Sequence, residues 1–465
     1  MADELSRADR SSLAAERGPV NMSIMAALVL EPGGGGGGIT REGLCRRIEE
    51  RIHLLPRYRQ RLQQPALGLA NPLWADDASF DVGWHVRRAR LPHPGSTADL
   101  AGFVGDEASR RMDRARPMWE LHLVEGLSRG RMAVMPKMHH ALLDGMAALG
   151  VGMILLDPSP EPLPVDEPQK PWSPRPFAMS RQLARLATAP LTRAQRLTLD
   201  AATRALEASP RSTAGDVWRA AETLTELARM RLPAPELPIN RPISASRSFA
   251  MVRAPLIGVK AAARAAGGTV NDVVLAAVCG MLDGYLREAG VDPDGLERDP
   301  VALVPVSVRD EDDGSLGNRF SLVFIDLPVS EQDVRARIST LNARTNAAKR
   351  AGRVAAGSLI IEAAGFGPPL VASMLARAGG DRSPFNIVVS NIPGPQFPLY
   401  LGGSRVLAAH PVIPLNPASQ GLSVGVLSYD GALCFGLTAD RALEPPVERA
   451  AAALETALRG ILAVR

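Results

Sequence analysis

The chain has 465 residues, with 53 Lys and Arg against 49 Asp and Glu and 46% hydrophobic residues. That length exceeds one ordinary core and points to two or three domains of a globular protein. A net charge of only +4 with 4% aromatics argues against nucleic acid as a partner, and three scattered cysteines (Cys45, Cys279, Cys434) fit neither a disulfide framework nor a cysteine metal site.

The opening MADELSRADR is polar and mixed in charge. It lacks the basic and apolar regions of a secretory signal, so a cytoplasmic location is expected. MSIMAALVL then reads as a buried strand, and the six glycines Gly33 to Gly38 as a flexible hairpin connection. The glycines lack the Lys-Ser/Thr of a phosphate loop. Leu44, Ile48 and Ile52 recur every four residues, which predicts an amphipathic helix whose arginines form a solvated face. RMAVMPKMHH reads as a strand, and DGMAALGVGMILL as a buried helix with Asp144 near its N-cap.

The proline-rich Pro158 to Pro176 reads as a linker, followed by a basic helical region over 181–232. A second domain starts near PINRPISASRSFAMVRAPL, with a helix from about Val270 to Arg287. Strands are expected at VALVPVSV, RFSLVFIDLPV, FNIVVSNI, GLSVGVLSYDG and ALCFGLTAD. The expected division is a first lobe over 1–157, a linker and helical connector over 158–238, and a second lobe over 239–465. Strands alternating with helices in both halves give an α/β class. No segment predicts a membrane span. The uncharged run Gly145 to Leu156 is twelve residues, and the apolar stretch around Leu359 to Leu375 is interrupted by Glu362 and Pro368-Pro369. A span needs about 20 residues.

Two of the seven histidines stand side by side, His139 and His140, three residues ahead of Asp144-Gly145. Adjacent residues of an extended chain point to opposite faces, so the pair does not readily grip one metal ion, and no third ligand stands nearby. One ring should face a cavity and the other the packed interior. A neutral imidazole, with an ordinary pKa of about 6.5, can take a proton from an attacking hydroxyl. Asp144 has three available jobs: helix cap, histidine support, or partner of a buried arginine. Gly145 either permits close backbone approach or is an ordinary turn glycine.

The pattern His-His-x-x-x-Asp-Gly resembles the signature of the CoA-dependent acyltransferase superfamily. Further blocks narrow the resemblance to bacterial wax ester synthase/diacylglycerol acyltransferases. They are RPMWELHLVEGL, NDVVLA (Asn271 to Ala276), SNIPGP (Ser390 to Pro395), FDVGWHVRRARLPHPG (Phe80 to Gly95) and the N-terminal segment itself. Two departures, Pro19-Val20-Asn21 in place of Pro-Met-His and the glycine run, are expected near a tunnel mouth, where they bear on acceptor choice.

The resemblance implies two chloramphenicol-acetyltransferase-like lobes with a substrate tunnel between them. It implies His140 as general base, His139, Asp144 and Gly145 as supports, and acyl-CoA as substrate, with no further cofactor and no metal. The acceptor would be diacylglycerol or a fatty alcohol, met at the inner face of a membrane or at a lipid droplet. The basic connector and the stretch Leu359 to Leu375 are the candidates for that contact. An oxyanion donor is also required, for which Asn271, Ser390 and Asn391 are candidates. Each also has a structural explanation: a helix cap for Asn271 and a strand-end turn for Ser390-Asn391. Pro117 and Trp119 read as packing residues. Two alternatives are an enzyme taking acyl groups from a carrier protein onto a polyketide alcohol or peptide amine, and a lipid-binding protein without turnover.

Overall fold

The computed structural model describes residues 3–5, 7–32, 39–63, 72–142, 152, 155–166, 168, 170–175, 233–307, 320–355, 383–415 and 419–464. In chain order the first half contributes β1 (Asp3–Glu4), α1 (Arg7–Ala15), β2 (Ser23–Leu30), α2 (Arg41–Arg51), β3 (Gln60–Gln63), β4 (Leu73–Asp76), α3 (Val82–His85), β5 (Val86–Arg90), α4 (Thr97–Ser109), β6 (Trp119–Glu125) and β7 (Met132–His139). The second half contributes β8 (Arg247–Pro255), α5 (Leu256–Ala265), α6 (Val270–Glu288), β9 (Val301–Ser307), β10 (Phe320–Asp326), α7 (Val334–Ala355), β11 (Ile387–Pro393), β12 (Tyr400–Leu401), β13 (Ser404–Val412), β14 (Leu422–Tyr429), β15 (Ala432–Asp440) and α8 (Val447–Leu462). The glycine run, the helix expected after Leu142, the basic connector and the stretch Leu359 to Leu375 lie outside the described residues.

The first lobe is built on a six-stranded sheet in the order β12-β13-β2-β7-β6-β5. β7 lies inside it and is buried from Ala133 to His139, because α2 and its neighbours cover one face and α4 the other. The second lobe is a six-stranded sheet in the order β10-β9-β11-β14-β15-β8. Its central helix, α6, is apolar on most sides and is packed among α5, α7, α8 and the sheet, which explains why nearly all of Asp272 to Leu286 is buried. No single helix among the described residues is long and apolar enough to cross a membrane.

The sheets do not divide where the sequence divides. Residues 400–412, expected in the second lobe, supply two strands to the first lobe's sheet, with β13 antiparallel to β2 from Val406 to Val412. The reason is the open edge of β2, whose backbone groups would otherwise lack partners. β13 crosses over the second sheet at very short range. A Cβ added to Gly436 would stand 1.9 Å from the Pro411 carbonyl oxygen and 2.9 Å from the Phe249 ring.

The arginines of α2 are also not all solvated. Arg47 and Arg51 are buried, and both close on Asp157, at 2.5 and 3.2 Å. Arg47 Nε also donates to the Leu155 carbonyl. Asp157 exchanges backbone hydrogen bonds with Tyr400, so one carboxylate ties α2, the start of the linker and β12 together. The proline-rich linker follows the first lobe's surface. Arg175 donates to Asp76 through Nε and Nη2, both at 2.9 Å, and Trp172 lies under Arg59 and against Phe80.

Gly436→Ala is expected to cost about 3 kcal/mol or more, above the usual overpacking penalty, because the obstacle is a backbone carbonyl. A urea titration of purified protein reads this directly. A midpoint equal to wild type would show that the crossing has slack.

Candidate active site

β7 delivers the two histidines to the end of the first sheet, and a single tight turn, His140–Leu142, follows. Backbone bonds fix both positions: His139 N–H donates to the Met118 carbonyl at 3.0 Å and His140 N–H to the Met22 carbonyl at 2.8 Å. The rings then part company. His139 is completely buried, whereas His140 is exposed.

His139 is held from both ends. Its Nδ1 accepts from the Ala141 N–H at 3.0 Å, and its Nε2 stands 3.6 Å from a Glu16 carboxylate oxygen. The second distance is too long for a hydrogen bond, so the ring lies beside the carboxylate without bonding to it. Glu16 also accepts from Arg114 Nη2 at 2.6 Å and from the Met22 N–H at 3.2 Å. Burial alone would raise the Glu16 pKa, but the His139 and Arg114 contacts outweigh it and hold the value at about 2. Glu16 directly follows α1 in the N-terminal segment. Its position beside His139 has no local signal, since the two are far apart in the chain.

His140 meets a different surface. Its Nδ1 lies 3.4 Å from the Ser12 hydroxyl on α1. Among the described residues Nδ1 is the ring nitrogen with a side-chain partner, so Nε2 is the one left to meet a substrate. The ring's pKa falls below the ordinary histidine value, chiefly because protein surrounds it. A contact with its own backbone and the charge of Asp9 oppose the shift, and His139 adds to it. With its pKa held below the ordinary value, the ring stays neutral near pH 7.

Asp144 and Gly145 lie outside the described residues. Asn271 and Asn391 come together, with Asn391 Nδ2 donating to Asn271 Oδ1 at 3.3 Å, which joins the NDVVLA and SNIPGP segments. Asn271 is not the cap of α6. Thr269 caps it, in a reciprocal box with Asp272, because the hydroxyl reaches the Asp272 N–H from the position before the helix. That leaves Asn271 Nδ2 buried without a hydrogen-bond partner among the described residues. Ser390 and Asn391 are not in a turn; both pair within the parallel ladder of β11 and β14. Asn21 is buried, donates to the Ala108 and Arg110 carbonyls at 2.8 Å, and accepts from Ser23. With each side-chain group engaged it is an anchor for the end of α4. Trp119 is buried, with Nε1 donating to the Tyr58 carbonyl, as its packing role requires.

Two other features lie close by. Glu107, Glu120 and His122 bring potential metal-binding atoms within 4.8 Å of one another. Lys137 Nζ stands 3.8 Å from Glu107, and Arg87 and Arg110 pair with Glu120 and Glu107, so these carboxylates already have cations. The group is an internal ion network. A small apolar cavity beneath α2 is lined by Ile48, Ile52, Tyr58, Trp119, Met138 and Leu155, and includes neither histidine.

The depressed Glu16 pKa has a definite sign. Its stabilising contribution is complete above the ordinary value of 4.5 and is lost as pH falls toward about 2. Glu16→Gln is therefore expected to lower the urea midpoint at pH 7 and to flatten its decline over that acid range. Parallel declines in the two proteins would show that Glu16 is not the charged partner of His139 and Arg114.

Comparison with known proteins gives this geometry its context. Residues 5–274 match the wax ester synthase/diacylglycerol acyltransferase catalytic domain and residues 316–462 the WS/DGAT C-terminal domain. A probable diacylglycerol O-acyltransferase (tgs2) of Mycobacterium tuberculosis is 33% identical over 444 residues, 92% of each chain. A putative diacylglycerol O-acyltransferase of the same organism is 32% identical over 469 residues, 98% of each. The wax ester synthase/diacylglycerol acyltransferase of Marinobacter aquaeolei VT8 superposes with a TM-score of 0.68 at 27% identity, over 98% of both chains. The starter condensation domain of rhizomide synthetase, at 15% identity and a TM-score of 0.58, covers this whole chain and 94% of its own and shares the two-lobed fold. Matches that run through both lobes, on either side of the paired histidines, show that the chain belongs to the wax ester synthase/diacylglycerol acyltransferase family and is an acyltransferase.

Proposed function

We propose that the protein transfers a long-chain acyl group from acyl-CoA to the hydroxyl of diacylglycerol, giving triacylglycerol, and to long-chain alcohols, giving wax esters, with His140 as general base. The observation that carries the assignment is the contrast between the two rings. His139 is sealed against Glu16, while His140 is exposed, with Nε2 unengaged among the described residues, and its pKa is depressed.

In this reading His140 Nε2 takes the hydroxyl proton as the oxygen attacks the thioester carbonyl. A free alcohol is too weak an acid to ionise first, so proton removal accompanies attack. The tetrahedral intermediate collapses with cleavage of the carbon–sulfur bond, and the departing CoA thiolate takes the proton back from the imidazolium. The ester and free CoA leave, and the histidine returns to its neutral form. A hydrogen-bond donor is needed for the oxyanion. Asn271 Nδ2 is a buried, unpartnered donor of the second lobe, which supports its candidacy. His139, clamped by Glu16 and the Ala141 N–H, fixes the strand end from which His140 projects. Diacylglycerol resides in bilayers and lipid droplets, so the enzyme meets its acceptor at such a surface, peripherally and on the cytoplasmic side.

His140→Ala is expected to reduce CoA release from a long-chain acyl-CoA and diacylglycerol by about 10²- to 10⁴-fold with an unchanged melting temperature. In the wild type, kcat/KM should fall on the acid side with an apparent pKa below the ordinary histidine value. The base works only when neutral and is lost as pH drops through its depressed pKa. Chelating agents should leave the rate intact. Undiminished turnover by the variant would remove His140 from the mechanism.

A further inference from the structure

We propose that Arg87 and Arg116, both seated on the Trp84 indole at the rim of the first lobe, bind phosphate groups of the CoA portion of the acyl donor. The inference rests on the acyl-CoA reading above and adds to it where the donor is gripped.

The guanidinium carbons of Arg87 and Arg116 lie 4.6 and 4.4 Å from the centroid of Trp84. Two like charges are thus gathered on one ring, an arrangement that favours an incoming anion. Their carboxylate partners do not cancel them toward solvent. Arg87 pairs with Glu120 at 3.2 Å, but the arginine side chain is 43% exposed and the glutamate 12%. Arg116 reaches Asp113 only at 4.0 Å. A guanidinium carries five N–H donors, so each arginine retains donors for a second partner. Planar guanidinium pairs suit phosphate oxygens, and seating them on an indole reduces the ordering cost of binding.

The position relates this pair to the histidines. Trp84 meets the His85 ring edge-on at 4.9 Å, and His85 stacks on Trp119 at 4.3 Å. Trp119 lies opposite Met138, the residue before His139. Arg116 stands two residues ahead of Met118, whose carbonyl holds the His139 N–H, and Arg114 of the same segment closes on Glu16. One rigid aromatic path therefore connects the cationic pair to the end of the catalytic strand. The pantetheine arm of CoA separates its phosphates from the thioester, so a phosphate subsite lies apart from the histidines and not beside them. The buried arginines cannot serve: Arg47 and Arg51 are sealed on Asp157.

The test is steady-state kinetics on wild type, Arg87→Ala, Arg116→Ala and the double variant, with acyl-CoA and with the acyl-pantetheine thioester that lacks the phosphates. Arg116→Gln is the further variant if the double one does not fold, and melting temperatures accompany each. The double variant should raise KM for acyl-CoA at least about tenfold, with the change falling on KM rather than kcat. The difference from wild type should vanish with acyl-pantetheine. An unchanged KM in folded variants overturns the proposal, and so does an equal loss with acyl-pantetheine, which would make the arginines structural. Loss of binding to phosphatidylglycerol vesicles, with KM for a short-chain acyl-CoA unchanged, would assign the pair to lipid headgroups instead. Failure of the wild type to consume any acyl-CoA would sink the functional reading alone, since calorimetric titration of CoA into the same proteins would still decide the arginines.

Discussion

The contact between the Pro411 carbonyl and Gly436 lets a strand made by one half of the chain complete the sheet of the other. A side chain at position 436 would lift β13 off the second lobe. With β13 seated, β2 acquires a partner on its outer edge, and β7 pairs on the inner one, Ser23 opposite His139. The position of β7 is thus fixed through β13 by residues that follow it by more than two hundred positions. A register slip of one residue would exchange the faces of every side chain on β7 and turn His139 toward solvent. α4 closes the other side of the seam, with Gly105 against the Arg247 backbone and Asp106 paired to Arg441.

Within that frame, adjacent residues acquire opposite work. His139 lies against the buried carboxylate of Glu16, which Arg114 neutralises. His140 is left with a hydroxyl neighbour and solvent. In the proposed role of His140 as base, its neutral form gains from having the strong carboxylate on its neighbour and not on itself, because a direct carboxylate partner would raise its pKa. The same balance recurs one layer away, where Lys137 is buried among Glu107, Glu120 and backbone carbonyls. Burial pulls its pKa below the ordinary lysine value, against the attraction of those carboxylates.

Arginine shows how little residue type alone decides. Arg47 and Arg51 look like the solvated face of α2 and are sealed in the interior. Arg87 and Arg116 remain at the surface, oriented by an indole. Each pair is set by what lies opposite: a buried carboxylate after the catalytic segment in one case, an aromatic ring on a short helix in the other. Apart from Trp84 and Arg87, which are three residues apart, linear spacing does not bring these partners together.

The sequence by itself determined the elements and the reaction class. The apolar runs that form β2, β7, β9, β14 and β15 and the helix α6 are local patterns, because strand and helix periodicities are properties of consecutive residues. The alternation of an extended chain sent His139 and His140 to different surroundings, and the ordered blocks around them carried the family resemblance. Tertiary structure alone decided that β12 and β13 join the first sheet, that Glu16 and Ser12 stand beside the two histidines, that Thr269 and not Asn271 caps α6, and that Asn21 is an anchor. In each of these cases the deciding partner is a distant segment or a competing hydrogen bond. The outcome follows from burying open edges and satisfying buried polar groups across the whole fold, which no local window of sequence contains.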